Sequence, residues 1–362
     1  MKILQVINSL NIGGAEKLIL DLVPLLQKSG LEVDVLLLNG ENTAFKIALE
    51  KQLVSVYSLG IKNNIYNPFL IIRLCRYIHK YDLIHVHLFP AQYWVAIAKA
   101  ISFSKVKLVT TEHSTLNNRR GIAIFKLIDR LVYSCYNRVI TISNKATELL
   151  ATYLKKRSGI ATIQNGVHIA LYSNAIIYSK MDLVNIKEDN VLVTMVAGFR
   201  EPKDQDTLIR AFRLLPSQYH LVLVGDGTRK KICEQLANDF GLSNRIHFLG
   251  LRDDIPNILK TSDIVVMSSH WEGFGLAALE GMAANKPVIA SNVPGLAQVV
   301  DGAGILFEVG NANDLADKIQ FLTINPDEYK RVVQKCQNRA AEYDIQKMAD
   351  GYIEIYNEVI KN

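Results

Sequence analysis

The chain has 362 residues, 49% of them hydrophobic and 21% charged, which describes a soluble globular protein of about two domains. Its four cysteines, Cys75, Cys135, Cys233 and Cys336, are scattered and form no C-x-x-C pair, which excludes a disulfide framework or a zinc site and fits reduced thiols in a cytosolic protein. The net charge of +6 divides unevenly: residues 1–170 carry 21 Lys and Arg against 10 Asp and Glu, and residues 171–362 carry 20 against 25.

Chance and solubility can produce such an asymmetry. Attraction of the basic part to an anionic membrane surface or a lipid-linked acceptor produces it too. Nucleic acid is not expected, because the basic residues are dispersed and no binding module is recognisable. The start, Met1–Ile7, is too short and polar for a signal peptide. No apolar run reaches the roughly 18 residues that span a bilayer.

The first half alternates short apolar strands with amphipathic helices. A strand over Lys2–Ile7 meets Asn11-Ile12-Gly13-Gly14-Ala15-Glu16 and a helix from Ala15 to Lys28. Strands follow at Glu32–Leu38 and Val54–Tyr57, then a helix at Pro68–His79. Leu83–His87 is a strand, Ala91–Ile101 a helix, and Val106–Thr111 a strand ending at Glu112-His113-Ser114. Then come a helix at Ile122–Tyr136 and a strand at Arg138–Ile142. Ser143 stands where an N-cap belongs, before a helix over Lys145–Leu154. Ile160–Ile163 is the last strand of the half. Alternation at this spacing implies a doubly wound parallel sheet, with ligand sites at the carboxyl ends of its strands. Gly13-Gly14 and His113 fall there.

Periodicity is lost between about Asn165 and Asn190. A second alternating set begins at Val191–Val196, with strands at His220–Val224, Arg245–Leu249, Asp263–Met267 and Pro287–Ala290. A final helix over Ile345–Val359 carries Met348, Tyr352, Ile355, Tyr356 and Val359 on one stripe. The expected architecture is α/β: two Rossmann-like domains with parallel sheets, facing each other across a cleft.

The stretch Ser269–Ala284 carries the clearest chemistry. A buried strand ends, Glu272-Gly273-Phe274-Gly275 turns, and helix-forming residues begin at Leu276. A turn opening a helix collects backbone N–H groups and the positive end of the helix dipole, which suits phosphate. Glu272 and Glu280 bracket it. Carboxylates repel phosphate but accept hydroxyl protons, so they suit the sugars of a sugar nucleotide.

Other motifs admit two readings. Gly13-Gly14 lacks the G-x-G-x-x-G of a nicotinamide site, so it is either a tight turn or a backbone approach to a ligand. His85 and His87 share a strand face; a metal pair would need a third ligand, and a buried structural pair is the better account. Asp204-Gln205-Asp206 has the look of a metal-binding D-x-D, but it precedes a helix and suits capping. His113, at a strand end in a polar run, is a surface residue or a donor to a sugar hydroxyl or a developing charge. Arg200 and Lys203 follow the first strand of the second half, where they are solvated charges or neutralise a diphosphate.

Together these residues resemble glycosyltransferase family 4, retaining transferases of the GT-B fold, along nearly the whole chain. The resemblance rests on Gly13-Gly14-Ala15-Glu16, Thr111-Glu112-His113, Ile163-Gln164-Asn165-Gly166-Val167, Leu223-Val224-Gly225-Asp226-Gly227, Phe248-Leu249-Gly250 and, most specifically, Glu272 and Glu280 with seven residues between. It implies an acceptor-side domain over residues 1–170, a nucleotide-sugar domain over 185–344, and a C-terminal helix, 345–362, packing back on the first. It also implies that Glu272 and His113 meet the donor sugar and that the Phe274, Gly275 and Leu276 amides and Lys203 meet the diphosphate. Glu280 then holds the ribose, Gly14 closes on the phosphates, Arg252 lies near the base, and Glu16 faces the acceptor. Three positions depart from the family. Its usual arginine is here Gly198, with Arg200 two residues on as the substitute. Gln298 and His168 each stand where an acid is common.

The expected activity is retaining transfer of a hexosyl or N-acetylhexosaminyl group from a nucleoside diphosphate sugar, UDP-linked, to a hydroxyl of a glycan or lipid-linked glycan, as in surface polysaccharide synthesis. No cofactor and no metal are expected. The expected location is cytoplasmic, including the inner face of the membrane. A UDP-sugar 2-epimerase of similar fold and a non-catalytic nucleotide-sugar-binding subunit are the alternatives.

Overall fold

The computed structural model describes residues 1–11, 13–62, 64–113 and 122–361. Ile12 of the first glycine loop, Ser114 after the strand-end histidine and Asn362 of the last helix lie outside the described residues. The chain forms two compact units: Met1–Asn165 with the chain from Ile345 onward, and Gly166–Asp344.

Unit 1 is built on seven parallel strands: β1 (Lys2–Ile7), β2 (Glu32–Leu37), β3 (Val56–Ser58), β4 (Leu83–His87), β5 (Lys107–Glu112), β6 (Arg138–Thr141) and β7 (Ile160–Thr162). They lie in the order β3-β2-β1-β4-β5-β6-β7. The strands are apolar because helices cover both faces; Ile3, Leu4, Val6 and Ile7 of β1 are all fully buried. Burying each such side chain is worth roughly 1.5–3 kcal/mol. The strand order reverses between β1 and β4, the kind of switch point where open α/β sheets bind ligands.

The helix Gly14–Lys28 buries Leu18, Leu22 and Leu26 on one stripe. The C-terminal helix Ile345–Lys361 buries Met348, Tyr352, Tyr356 and Val359 and joins the same core. Strand register places Gln5 opposite His85 and His87 opposite Thr111. Because side chains alternate along a strand, these four share one face of the sheet. Tyr352 and Tyr356 of the C-terminal helix reach that face with their hydroxyls.

Unit 2 has six parallel strands: β8 (Val191–Val196), β9 (Tyr219–Val224), β10 (Ile246–Gly250), β11 (Ile264–Met267), β12 (Val288–Ser291) and β13 (Ile305–Phe307). Their order is β10-β9-β8-β11-β12-β13, so the switch point lies between β8 and β11. The loop Ala197–Lys203 leaves the end of β8, and the turn before Leu276 leaves the end of β11. Sheet order thus sets these two loops side by side.

Several elements were not legible in the sequence. Strand β13 is three residues long. The helix Ala44–Lys51 buries only Leu49, too little for a periodic signal, although Thr43 Oγ1 caps it by accepting from the Lys46 N–H. The stretch 166–184, expected to be a featureless boundary and in part a piece of the first domain, belongs to unit 2 and holds two five-residue helices, Ile169–Ser173 and Lys180–Val184. Polar anchors supplement its apolar contacts, in which Val167 and Tyr172 are buried and Tyr178, Leu183 and Val184 pack on the core of unit 2. Lys180 Nζ donates to Asp263 Oδ2 at 2.7 Å and to the Asn190 carbonyl at 2.7 Å, and the Tyr178 hydroxyl donates to Asp254 Oδ2 at 2.9 Å.

Candidate functional site

In unit 2 the loops after β8 and β11 are tied by backbone. The N–H groups of His270 and Trp271 both donate to the Pro202 carbonyl, at 2.9 and 3.3 Å. This brings Lys203 onto the turn, where its ammonium donates to Glu272 Oε2 at 2.5 Å, and Ser269 Oγ donates to the same oxygen at 3.4 Å. Both charged side chains are half-buried, so the pair is shielded from water without being sealed from a ligand.

The turn depends on two glycines. Gly275 has φ +87°, in the left-handed region that favours glycine, and it caps the eight-residue helix Leu276–Ala283. Gly295 lies against the turn from the next helix; a Cβ there would sit 1.9 Å from the Glu272 carbonyl oxygen. The N–H groups of Phe274, Gly275 and Leu276 donate to no other described residue. These are the unsatisfied donors of a helix start, with the helix dipole behind them. The Phe274 ring is buried edge-on against Tyr343, with centroids 5.7 Å apart, which holds the turn's backbone in place. Glu280 lies buried inside the helix.

Arg200 is exposed on the loop after β8. Its Nε lies 3.8 Å from where a Cβ of Gly198 would be, so the guanidinium folds back toward the position of the family's arginine. Arg252 is set apart from this group: it makes a two-pronged contact with Asp254 on its own loop, at 2.7 and 2.5 Å. That contact holds the Asp254 carboxyl below the usual carboxylate range. The D-x-D acids have structural partners. Asp204 Oδ1 accepts from the Thr207 N–H at 3.2 Å as a helix cap, and Asp206 pairs with Arg229. His168, where the family commonly has Asp, keeps a capping role, its Nδ1 accepting from the Leu171 N–H at 3.2 Å. Gln298 Nε2 donates to the Gly295 carbonyl at 3.3 Å, beside the turn.

In unit 1, His113 follows β5 and its Nε2 lies 2.9 Å from Nδ1 of His87. His85 and His87 are fully buried and hydrogen-bonded at both ring nitrogens, the buried pair that the sequence suggested. Burial holds both well below the usual imidazole range and lowers His113 to about 4. All three rings are therefore neutral at neutral pH. The sequence did not reveal that His113 is bonded through His87 to Gln5; a pair in register across adjacent strands was the only available signal.

Gly14 is the first residue of its helix, exposed, and a Cβ there would meet nothing within 4 Å. No tight packing requires glycine at this position. Gly13 differs, since a Cβ would lie 2.4 Å from Glu16 Oε2. The Glu16 carboxylate thus reaches back over its own helix N-terminus, as an acid at the third helical position does in a capping box.

The comparisons with known proteins agree with one another. The family model for glycosyl transferases group 1 matches residues 179–339, and that for glycosyltransferase family 4 matches residues 12–171. An uncharacterized glycosyltransferase of Methanocaldococcus jannaschii is 30% identical over 288 residues, 77% of this chain and 76% of that protein. The UDP-Gal:alpha-D-GlcNAc-diphosphoundecaprenol alpha-1,3-galactosyltransferase of Escherichia coli is 28% identical over 303 residues, 78% of this chain and 77% of that protein. The crystal structure of Anabaena HepE in complex with UDP-glucose superposes with a TM-score of 0.84 at 25% identity, covering 99% of this chain and 100% of that one. With two Rossmann-like parallel-sheet units of the GT-B type and both family models matched in order along it, the chain belongs to glycosyltransferase family 4.

Proposed function

We propose that this glycosyltransferase is a retaining enzyme that takes a hexosyl or N-acetylhexosaminyl group from a UDP-sugar and passes it to a hydroxyl of a lipid-linked glycan in surface polysaccharide synthesis. The observation that carries the donor half is the turn of unit 2, where Lys203 touches Glu272 beside the undonated N–H groups of Phe274, Gly275 and Leu276. A nucleoside diphosphate sugar matches this chemistry group by group. The diphosphate takes Lys203, Arg200 and the amides, the transferred sugar's hydroxyls take Glu272, and the ribose takes Glu280. In this reading Gly14 lets the backbone approach the phosphates, Arg252 lies toward the base, Glu16 toward the acceptor, and His113 toward the donor sugar.

Charge develops on the departing diphosphate as the glycosidic bond breaks, and fixed donors at that position lower the barrier. Glu272 Oε2 is taken up by Lys203 and Ser269 and is not poised as a nucleophile, so attack on the same face, assisted by the departing phosphate, is the favoured retaining route. Cations and amides meet the diphosphate's charge, so no metal is required. Transfer that persists in EDTA is the expected result, and activity abolished by EDTA and restored by manganese would overturn it.

The lipid-linked acceptor is supported by what the Escherichia coli relative is named for, a diphosphoundecaprenol-linked substrate. It is also supported by the helix Ala123–Ser134, whose Ile124, Leu127 and Leu131 are 66%, 62% and 62% exposed on one stripe. Residues 61–138 carry 12 Lys and Arg against 3 Asp and Glu. An apolar stripe among cations suits an anionic bilayer surface, which would put the protein on the cytoplasmic face of the membrane. No helix among the described residues is long and apolar enough to cross a membrane.

The deciding experiment incubates the protein with a panel of UDP-sugars and an undecaprenyl-diphosphate glycan, then reads the product's anomeric configuration by NMR. Retention supports the proposal. An epimerised UDP-sugar without acceptor, or donor binding without turnover, would replace it with one of the alternatives. Sedimentation with phosphatidylglycerol but not phosphatidylcholine vesicles, lost in a Leu127→Asp, Leu131→Asp variant, checks the membrane surface.

A further inference from the structure

The buried face of β1, β4 and β5 carries a continuous hydrogen-bonded chain that ends at His113. Gln5 Oε1 lies 2.8 Å from His87 Nε2, and Gln5 Nε2 lies 3.1 Å from the Tyr356 hydroxyl. An amide oxygen only accepts, so His87 Nε2 carries a proton and donates it. A neutral imidazole has one proton, so His87 Nδ1 accepts. His113 Nε2, 2.9 Å away, must be its donor. The one proton of a neutral His113 then sits on Nε2, and Nδ1 keeps a lone pair. No described residue bonds to that Nδ1.

The other branch runs in the same sense. Tyr356 accepts from Gln5 and donates to His85 Nδ1 at 2.6 Å; His85 Nε2 donates to Thr111 Oγ1 at 2.8 Å. Turning the Gln5 amide over would reverse both branches and move the His113 proton to Nδ1. An amide cannot itself be both donor and acceptor at one atom, so its orientation sets every bond beyond it.

We propose that Gln5 is a positioning residue that selects the Nε2-protonated tautomer of His113, so that His113 meets its ligand as a hydrogen-bond acceptor at Nδ1. An acceptor suits a sugar hydroxyl, which can donate, and rejects an anionic oxygen, which cannot. His113 therefore reads a neutral polyol rather than a charged group. This consequence rests on the reading of His113 as a donor-sugar contact, whereas the tautomer is a property of the protein alone.

The test is a long-range 1H–15N correlation spectrum of the ligand-free, 15N-labelled full chain, with His113 assigned by comparison with His113→Ala. A bare nitrogen resonates far downfield of a protonated one. The expected spectrum has His113 protonated at Nε2 and bare at Nδ1; the reverse pattern overturns the proposal. Gln5→Leu removes both amide contacts, and His113 should then populate both tautomers. A single unchanged tautomer would remove Gln5 from the role. Gln5→Glu keeps an acceptor against His87, so His113 should stay as in the parent. His85 should switch its proton from Nε2 to Nδ1, because a carboxylate takes the Tyr356 proton. In transfer assays Gln5→Leu should lose at least about 10-fold in kcat/KM with unchanged UDP affinity, and Gln5→Glu should recover most of it. If Gln5→Leu does not fold, the parent and Gln5→Glu spectra decide. A failed transferase reading would show as no turnover by the parent chain, with the imidazole spectrum unaffected.

Discussion

At the switch point of unit 1, buried neutral side chains satisfy one another, from Gln5 through the histidines to Tyr352 and Tyr356. At the switch point of unit 2, a half-buried cation faces a half-buried carboxylate beside unsatisfied backbone donors. The two sheets share one winding rule and differ in what their strand ends leave unfinished. A satisfied neutral network specifies direction and geometry. An unfinished charged turn supplies binding energy, because a ligand can take up donors that the protein leaves open. Unit 1 thus presents neutral, directional groups at its strand ends, and unit 2 presents charge and open backbone donors.

The largest expected effect comes from dismantling the charged side of that contrast. Lys203→Ala should lower kcat/KM by about 10²–10³-fold and weaken UDP binding more than uridine binding. Equal losses for UDP and uridine, measured by calorimetry, would remove Lys203 from the diphosphate. Next, Glu280→Ala should weaken UDP and uridine alike by about 10–100-fold, the worth of a hydrogen bond to a charged group. Unchanged uridine affinity would refute the ribose role.

A smaller effect tests the displaced arginine. Arg200→Ala should cost roughly 10-fold in UDP affinity. Adding Gly198→Arg should restore it, since a Cβ at Gly198 meets no atom closer than 3.6 Å. Failure of that rescue would show that the loop uses Arg200 for something else.

The neutral side of the contrast is checked by pH. The folded-state values of His85, His87 and His113 are lowered by burial, that of His113 from 6.5 to about 4. Between about pH 6.5 and about 4 the unfolded chain binds more protons than the folded one. Stability is therefore complete above that window and falls as pH drops through it. Trp94 lies in unit 1 and Trp271 in unit 2, so urea unfolding of a Trp271→Phe variant, followed by fluorescence, reports unit 1. A midpoint independent of pH from 7 to 5 would contradict the buried neutral rings. The smallest stability change belongs to Gly14→Ala, within about 0.5 kcal/mol by thermal unfolding. Its donor kcat/KM should nonetheless fall, and an unaffected kcat/KM would leave Gly14 with no function.

Most strands and long helices were legible because each buries a contiguous run or a 3.6-residue stripe. The turn from Ser269 to Glu280 was legible for a related reason. Its strand, glycines, helix start and two acids are all neighbours in sequence, so local pattern carries the chemistry. Lys203 was legible as a strand-end cation, but not as a partner of Glu272. That contact follows from sheet order, which places β8 beside β11 although the two side chains are 69 positions apart in the chain.

The amino-acid sequence by itself determined two alternating α/β halves, their family and the glycine turn between Glu272 and Glu280, because all of these follow from local periodicity and short-range motif. Tertiary structure alone decided the partners of His113. Gln5, His87, Thr111 and Tyr356 come from three strands and the last helix, and no local pattern encodes their meeting. Parallel register brought them to one face, and burial made each of their protons depend on the next. Tertiary packing also decided where the chain changes units, since 166–184 is held by scattered polar anchors and apolar contacts on helices only five residues long, too short to leave a periodic trace.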